Sequence, residues 1–124
     1  MEPDEVTGTQ FRMYRAAAGY LRVDWFDGAV VTGQDAHATL QAVASLADGR
    51  LAPLLVDTRS ALSVSREARM AYAGSTLVSR VALYVDSPLS RIIANFYIGQ
   101  SGPSVPVELF TDLDDAQRWL LDDH

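Results

Sequence analysis

The chain has 124 residues, of which 48% are hydrophobic and 21% are charged, so we expect one soluble domain with a substantial core. It contains no cysteine and no lysine, which excludes disulfides, thiolate nucleophiles and every lysine-dependent reaction. The net charge of −6 and the dispersed arginines argue against nucleic-acid binding, since a phosphate-binding surface needs clustered basic residues.

The N-terminal segment MEPDEVTG is acidic and polar, whereas a secretory signal needs a basic end and an apolar run. No stretch reaches the roughly 18 consecutive apolar residues of a membrane span. We therefore expect a cytoplasmic protein that is not an integral membrane protein. Residues 1–9 are expected to form a flexible N-terminus, and residues 10–124 a single domain.

Two segments of alternating polarity come next. Residues 10–16 place Phe11 and Met13 on one face, and residues 20–26 repeat the pattern after Gly19. A period of two predicts a strand in each segment, so the pair is expected to form an antiparallel hairpin with one face towards solvent. The apolar face of the second segment consists of Leu21, Val23 and Trp25.

The rest of the chain predicts helices alternating with buried strands. Thr32 and Asp35 are capping residues for a first helix that Gly49 ends, and a buried strand ends at Asp57. Ser65 is placed to begin a second helix. The predicted inward face of the first helix is Ala36, Leu40, Val43 and Ala47.

A second buried strand is predicted over 81–85, and Asp86-Ser87-Pro88 is a specific signal for the start of a third helix. A final strand over 105–110 precedes a fourth helix, which Thr111 is expected to cap. The order predicts an α/β fold: a four- or five-stranded mixed sheet, with the antiparallel hairpin followed by β-α repeats, and four helices. The predicted inward face of the third helix is Leu89, Ile93, Phe96 and Tyr97.

This order, with four local patterns, resembles the STAS domain of anti-sigma-factor antagonists and the lipid-transfer-like proteins grouped with it. The patterns are the strand leading to Gly28, the run from Val31-Thr32 to Asp35-Ala36, the buried strand ending at Asp57, and the closing LFTDLDDAQRWL. The resemblance runs over residues 10–122 and implies a STAS-like fold from an uncharacterised bacterial branch of that group.

In the antagonist family, a serine at the start of the second helix is phosphorylated and controls partner binding. The resemblance places such a switch at Ser65 or Ser63, although the family's Asp-Ser-Ser/Thr-Gly signature is absent here. A phosphate at a helix N-terminus would meet free N–H groups and the positive end of the helix dipole. The alternative is that Ser65 is only an N-cap.

Ligands of open α/β sheets bind outside the carboxyl ends of the parallel strands. Each residue predicted at this rim can instead be a cap or a turn former. The chain has only two histidines and neither a GxGxxG motif nor a P-loop, so we expect no catalytic residues, no metal and no cofactor. The predicted rim residues are Asp57, Thr58, Arg59, Asp86, Ser87, Thr111 and Asp112.

Aromatic residues cluster on the predicted hairpin. If the face carrying Tyr14, Tyr20 and Phe26 is exposed, it forms an apolar patch suited to self-association or to an apolar ligand. The alternative is that a helix covers this face. Our leading hypothesis is a non-catalytic regulatory or protein-interaction module that forms a homodimer or contacts another protein; the alternative is a small apolar-ligand or lipid-binding protein.

Overall fold

The computed structural model describes residues 5–73, 78–99 and 106–122. The strands are β1 (Glu5–Thr7), β2 (Phe11–Arg15), β3 (Leu21–Trp25), β4 (Ala29–Val31), β5 (Ala52–Asp57), β6 (Ala61–Val64), β7 (Val78–Tyr84) and β8 (Val107–Phe110). The helices are α1 (Gly33–Ala47), α2 (Arg66–Ala73), α3 (Pro88–Gly99) and α4 (Leu113–Leu120).

Six strands form the main sheet in the order β1-β2-β3-β5-β7-β8, and β4 pairs with β6 in a separate two-stranded sheet. The strands β1, β2 and β3 are antiparallel, whereas β3, β5, β7 and β8 run parallel. The predicted class, an antiparallel hairpin followed by β-α repeats with four helices, is therefore confirmed. The predicted count of four or five strands was wrong because β1, β4 and β6, each of three or four residues, are too short to show a period.

The strand β1 lies within the segment 1–9, which the sequence predicted to be a flexible N-terminus. For residues 5–7 that prediction was wrong, because they pair with β2 and Val6 packs against the core. An ion pair of 2.5 Å between Arg12 Nε and Glu5 Oε1 joins the same two strands. Residues 1–4 lie outside the described residues.

One face of the main sheet shares a core with a layer that holds α1, α2 and α3: α1 packs on β2 and β3, α2 packs on α1 and α3, and α3 packs on β6. The alternation predicted for the hairpin is confirmed, since its apolar side chains point into this layer. Small residues at the helix surfaces, such as Ala36 and Ala68, let the helices approach closely. The larger buried side chains of the layer are Phe11, Met13, Leu21, Val23, Trp25, Val43, Leu46, Val56, Leu83 and Ile93.

The inward faces of two helices were only partly predicted. On α1, Ala36 and Val43 are buried as expected, but Thr39, Ala42 and Leu46 are buried in place of Leu40 and Ala47, which are half-buried. The predicted inward face differs from the observed one by one position, because alanines occur on both sides of this helix and so do not mark a single apolar face. Apolar residues at intervals of four, three and four therefore did not fix the rotation of α1.

On α3, Ile93 is buried as predicted, but Leu89 is 46% exposed. Ser90 takes the inward position because its hydroxyl accepts hydrogen bonds from the backbone N–H groups of Asp86 and Ser87 at 2.9 and 3.0 Å. This reciprocal cap fixes the first turn and rotates Leu89 outwards. The side chains of Phe96 and Tyr97, also predicted to face inwards, lie outside the described residues.

The other face of the main sheet is covered by α4, which packs on β5, β7 and β8. Its buried contacts join Ala116 and Leu120 to Leu55, Ala82 and Tyr20. Asp112 caps this helix, and its Oδ1 accepts a hydrogen bond of 3.1 Å from the N–H of Asp115. The prediction that Thr111 is the cap was therefore wrong by one residue, because either side chain can fill this position.

The start of α1 joins the two sheets. As predicted, Thr32 and Asp35 form a capping box, in which each side chain accepts a hydrogen bond from the other's backbone N–H. Gln10, just before β2, donates from Nε2 to Asp35 Oδ2 and to the carbonyl of Val30, both at 2.6 Å. Its Oε1 accepts from the N–H of Val30 at 2.9 Å, so one amide side chain ties β2, β4 and α1 together.

Replacing Gln10 by alanine is expected to lower the free energy of unfolding by about 1 to 2 kcal/mol, because three hydrogen-bonded groups lose their partner. Urea denaturation followed by circular dichroism measures the change. Gln41→Ala, on the exposed side of α1, is the matched control and is expected to shift it by less than about 0.5 kcal/mol. Equal effects of the two substitutions would show that Gln10 has no such joining role.

Candidate functional site

Two carboxylates face each other on neighbouring strands at the carboxyl end of the parallel sheet. Asp24 in β3 is directly opposite Asp57 in β5, on the sheet face that α4 partly covers. Like charges in such a cross-strand pair are destabilising unless cations compensate them. The strands can therefore pair in this register only if positive groups lie close to both carboxylates.

Two arginines supply this charge. Arg22, also in β3, donates from Nε to Asp24 at 2.8 Å and from Nη2 to Asp57 at 3.1 Å, so it bridges the pair. Arg59 donates from Nε and Nη2 to the two oxygens of Asp57 at 2.9 and 2.8 Å, and its backbone N–H also donates to Asp57. Its guanidinium lies 4.4 Å from the ring centre of Tyr84. We call Arg22, Asp24, Asp57 and Arg59 the ion cluster.

The ion cluster holds Asp57 in the charged form. Burial by itself would raise the pKa of Asp57, but the hydrogen bonds and charge of Arg59, with the charge of Arg22, bring that pKa below its usual value. The same hydrogen bond raises the pKa of Arg59. Burial by itself would lower the pKa of Arg22, but its hydrogen bond and ion pair with Asp24, together with the charges of Tyr14 and Asp57, raise that pKa. Asp57 is therefore ionised at neutral pH and cannot act there as a proton donor.

The structure brings together only some of the predicted rim residues. Asp57 and Arg59 share the ion cluster, and the charge of Asp86 also contributes to the raised pKa of Arg59. Thr58 between them is fully buried, and its hydroxyl donates to the carbonyl of Tyr84 at 2.8 Å, so it is a structural residue. Its placement at an accessible rim was wrong because the chain turns inwards after Asp57.

The remaining residues that were predicted at the rim lie at the N-termini of α3 and α4. Ser87 Oγ accepts from the N–H of Ser90 at 3.1 Å, and Asp86 Oδ1 accepts from the hydroxyl of Ser90 at 3.3 Å. Asp112 caps α4, as described above, and Thr111 precedes it as an exposed residue. The capping alternative that the sequence left open therefore accounts for the contacts of Ser87 and Asp112.

The two serines considered for a switch lie at the start of α2. Ser65 is an N-cap: its Oγ accepts from the N–H of Ala68 at 3.1 Å, and its carbonyl accepts from the N–H of Arg69. Ser63 is half-buried on β6, opposite Val30 of β4. The hydroxyl of Ser65 thus lies beside the first N–H groups of a helix, where a phosphate group would also be stabilised.

The three aromatic residues predicted to form an interface do not share an exposed patch. Tyr20 is only 3% exposed and packs beneath α4, so its assignment to an interface was wrong. Tyr14 is half-buried with the guanidinium of Arg12 4.4 Å from its ring centre; burial, and then the charge of Asp24, raise its pKa. Phe26 is 41% exposed in the turn before β4.

A pocket of about 360 Å³ lies at the other end of the sheet, by the amino ends of β3 and β5. The turn after β2, the C-terminus of α1 and the segment before β5 form its walls. Sequence reasoning missed this pocket because its lining comes from three connections that have no shared motif. The lining residues are Arg15, Gly19, Tyr20, Leu21, Leu46, Ala47, Asp48, Arg50, Leu51, Ala52 and Pro53.

Two further findings concern the described part of the chain. None of the helices there combines the length and the apolar character that crossing a bilayer requires. Within the same residues, histidine and acidic side chains do not form a group of three or more that is arranged to hold a metal ion.

A family model described as a domain of unknown function, DUF7793, matches residues 14–122. The chain belongs to the DUF7793 family. No curated protein matches it by sequence. One solved structure, a protein with unknown function from Arthrobacter sp. FB24, is 35% identical to this chain. The match covers 87% of this chain and 96% of the other, with a TM-score of 0.36.

The DUF7793 domain is also similar to a crystal structure from Shewanella loihica PV-4, an uncharacterised protein of the DUF3478 family with a SpoIIAA-like fold. The two chains are 18% identical, the match covers 93% of this chain and 98% of the other, and the TM-score is 0.62. SpoIIAA-like and STAS-like describe the same fold. The STAS-like fold that the sequence predicted is therefore confirmed.

Replacing Asp57 by asparagine is expected to lower the free energy of unfolding at pH 7 by about 2 kcal/mol, because Arg22 and Arg59 lose their shared carboxylate. Urea unfolding of both proteins between about pH 7 and pH 2 measures the difference across the titration range of a carboxylate. Asp27→Asn, at an exposed turn, is the matched control, and its effect is expected to be small at every pH.

The sign of the pH dependence follows from the lowered pKa of Asp57. As the pH falls, the carboxylate of Asp57 is protonated in the unfolded chain before it is protonated in the folded one. The stabilisation is therefore complete above the unfolded pKa of about 3.9 and disappears as the pH falls through the folded pKa. The difference between the wild type and Asp57→Asn is expected to shrink below about pH 4. A difference that stays constant down to pH 2 would contradict the assignment.

Proposed function

We propose that the protein is a non-catalytic regulatory module that acts through protein–protein contact and is switched by phosphorylation at the start of α2. The observation that carries the proposal is the position of Ser65, the N-cap of the second helix in a SpoIIAA-like fold. In the STAS antagonists that the sequence resembles, a serine at the start of this helix is the phosphorylated residue. The proposed site of action is the cytoplasm.

The groups at the start of α2 favour a phosphorylation switch at Ser65. A phosphate on Ser65 would meet the free N–H groups of the first turn and the side chain of Arg66. It would also meet Glu67, whose Cβ lies 3.0 Å from the place that a side chain on Gly33 would occupy. Because Glu67 lies against the start of α1, repulsion between phosphate and carboxylate would loosen the contact between the two helices.

Exposed apolar side chains lie on α2 and on the two elements β6 and α3 next to it. Leu62 on β6 is 53% exposed and Met70 on α2 is 60% exposed, and α3 packs against both of these elements. Leu89 and Ile92, which lie one turn apart on α3, are about half exposed. We call Leu62, Met70, Leu89 and Ile92 the α2–α3 surface, and we propose that it replaces the hairpin as the interaction surface, with a second copy of the chain as its partner.

The alternative function, a carrier for an apolar ligand or lipid, depends on an apolar cavity. The pocket at the amino ends of β3 and β5 is open on one side and is lined by Arg15, Asp48 and Arg50. Three charged residues make it a poor environment for a wholly apolar molecule. We therefore retain the regulatory module as the proposed function.

Size-exclusion chromatography with light scattering tests the homodimer, for which the expected mass is twice the 13.5 kDa of the chain. Ile92→Asp is expected to give the monomer, because a charge in the apolar contact loses its hydration. Leu121→Asp is the matched control: Leu121 is 42% exposed but lies beside Gly19, outside the α2–α3 surface. A monomeric wild type that also recovers no specific protein in pull-downs would overturn the interaction function.

The switch is tested by mass spectrometry of the protein isolated from its native cells, where phosphate is expected on Ser65. In vitro, Ser65→Ala is expected to lower the free energy of unfolding by about 1 kcal/mol, since α2 loses its cap. Ser63→Ala is the control and is expected to change it by less than about 0.5 kcal/mol. Phosphate found on neither serine under any growth condition would remove the switch and leave the interaction to be tested alone.

A further inference from the structure

The floor of the pocket at the amino ends of β3 and β5 is formed by core residues. Tyr20, Leu21 and Leu46 line it and are each no more than 3% exposed, so their positions are fixed by the core. Leu51 at its edge is 65% exposed, the largest exposed fraction among the large apolar side chains of the described residues. An apolar ligand segment lying at this edge would remove Leu51 from water, which is favourable.

Positive charge borders the same pocket. Arg15, at the end of β2, donates from Nη2 to the carbonyl of Leu46 in the last turn of α1, which orients its guanidinium. Of the five N–H donors of an arginine, this bond uses one. Arg50 is exposed on the opposite connection, and Asp48 is the single acidic residue of the lining, so the lining has a net charge of +1.

The C-terminus of α1 would by itself repel an anion, because its last carbonyl groups form the negative end of the helix dipole. Two of these carbonyls already accept hydrogen bonds, that of Leu46 from Arg15 and that of Ala47 from the N–H of Arg50. The α1 helix has no basic residue in its own last turn, so the two neighbouring arginines supply the positive charge here. Their side chains favour a carboxylate, which matches the planar fork of a guanidinium.

From this combination we infer that the pocket binds a monocarboxylate with a short apolar chain. The carboxylate is held between Arg15 and Arg50, and the chain lies against Leu51, Ala52 and Pro53 at the edge of the pocket. A group with a single negative charge balances the net charge of the lining, whereas a phosphate dianion exceeds it. The volume of about 360 Å³ is within the range of small-molecule sites. This inference does not depend on the proposed regulatory function.

Nuclear magnetic resonance titration with octanoate tests the inference. Saturable shifts are expected at the backbone amides of residues 46–52, and calorimetry gives the dissociation constant. Acetate, which lacks the chain, and 1-octanol, which lacks the charge, are each expected to bind at least about tenfold more weakly, because each loses one of the two contacts. Octanoate shifts spread over the surface, or no saturation, would overturn the inference, as would tighter binding of inorganic phosphate.

Two variants test the contribution of the arginines. Arg50→Gln is expected to weaken octanoate binding about tenfold, because one charge-assisted hydrogen bond is lost. Arg15→Gln is expected to do the same while keeping an N–H donor for Leu46, and its thermal unfolding confirms that it folds. Arg118→Gln, an exposed arginine on α4, is the matched control and is expected to bind octanoate as the wild type does. Unchanged affinity in both pocket variants would overturn the inference.

Discussion

Alternation along β3 is the constraint on which the rest of the sheet depends. Leu21, Val23 and Trp25 point towards the layer of three helices, so Arg22 and Asp24 must point to the other face. The single helix on that face packs over β5, β7 and β8. The two polar residues of β3 therefore find their partners within the sheet rather than under a helix.

The parallel pairing of β3 with β5 requires that positive charge lie between the two strands. It brings the carboxylates of Asp24 and Asp57 opposite each other, and their repulsion opposes the pairing. Arg22 contacts both carboxylates and Arg59 neutralises the second, so four charged side chains balance. The ion cluster is thus a consequence of burying the apolar face of β3. It also explains how Asp57 can be buried at a sheet end without shifting towards the neutral form.

Elements with strong local signals were predictable from the sequence. The capping box of Thr32 and Asp35, and the Ser87-Pro88 helix start, are each specified within a few residues, and both were found as predicted. The strand β6 was missed because four residues do not show a period. The outward rotation of Leu89 could not be read either, because it depends on how Ser90 bonds to the backbone before the helix.

The site was less predictable because its contacts join distant parts of the chain. Asp57 and Arg59 were both named because they follow the same strand, but Arg22 lies 35 residues before Asp57 and its role requires the strand order. Tyr20 was assigned to an interface although α4, formed by the other end of the chain, covers it. The alternation of β3 does place Arg22 and Asp24 on one face. Together with the knowledge that β5 is the neighbouring strand, this pattern would have predicted the ion cluster.

The amide of Gln10 also has a consequence for aggregation of the protein. Strand edges with free N–H and C=O groups recruit strands from other molecules, and this is a common start of aggregation. On β4, both groups of Val30 are occupied by Gln10 while β6 pairs along the opposite edge. A single side chain therefore acts as a substitute strand. It protects a short, apolar and solvent-facing edge from pairing with other copies of the chain at high protein concentration.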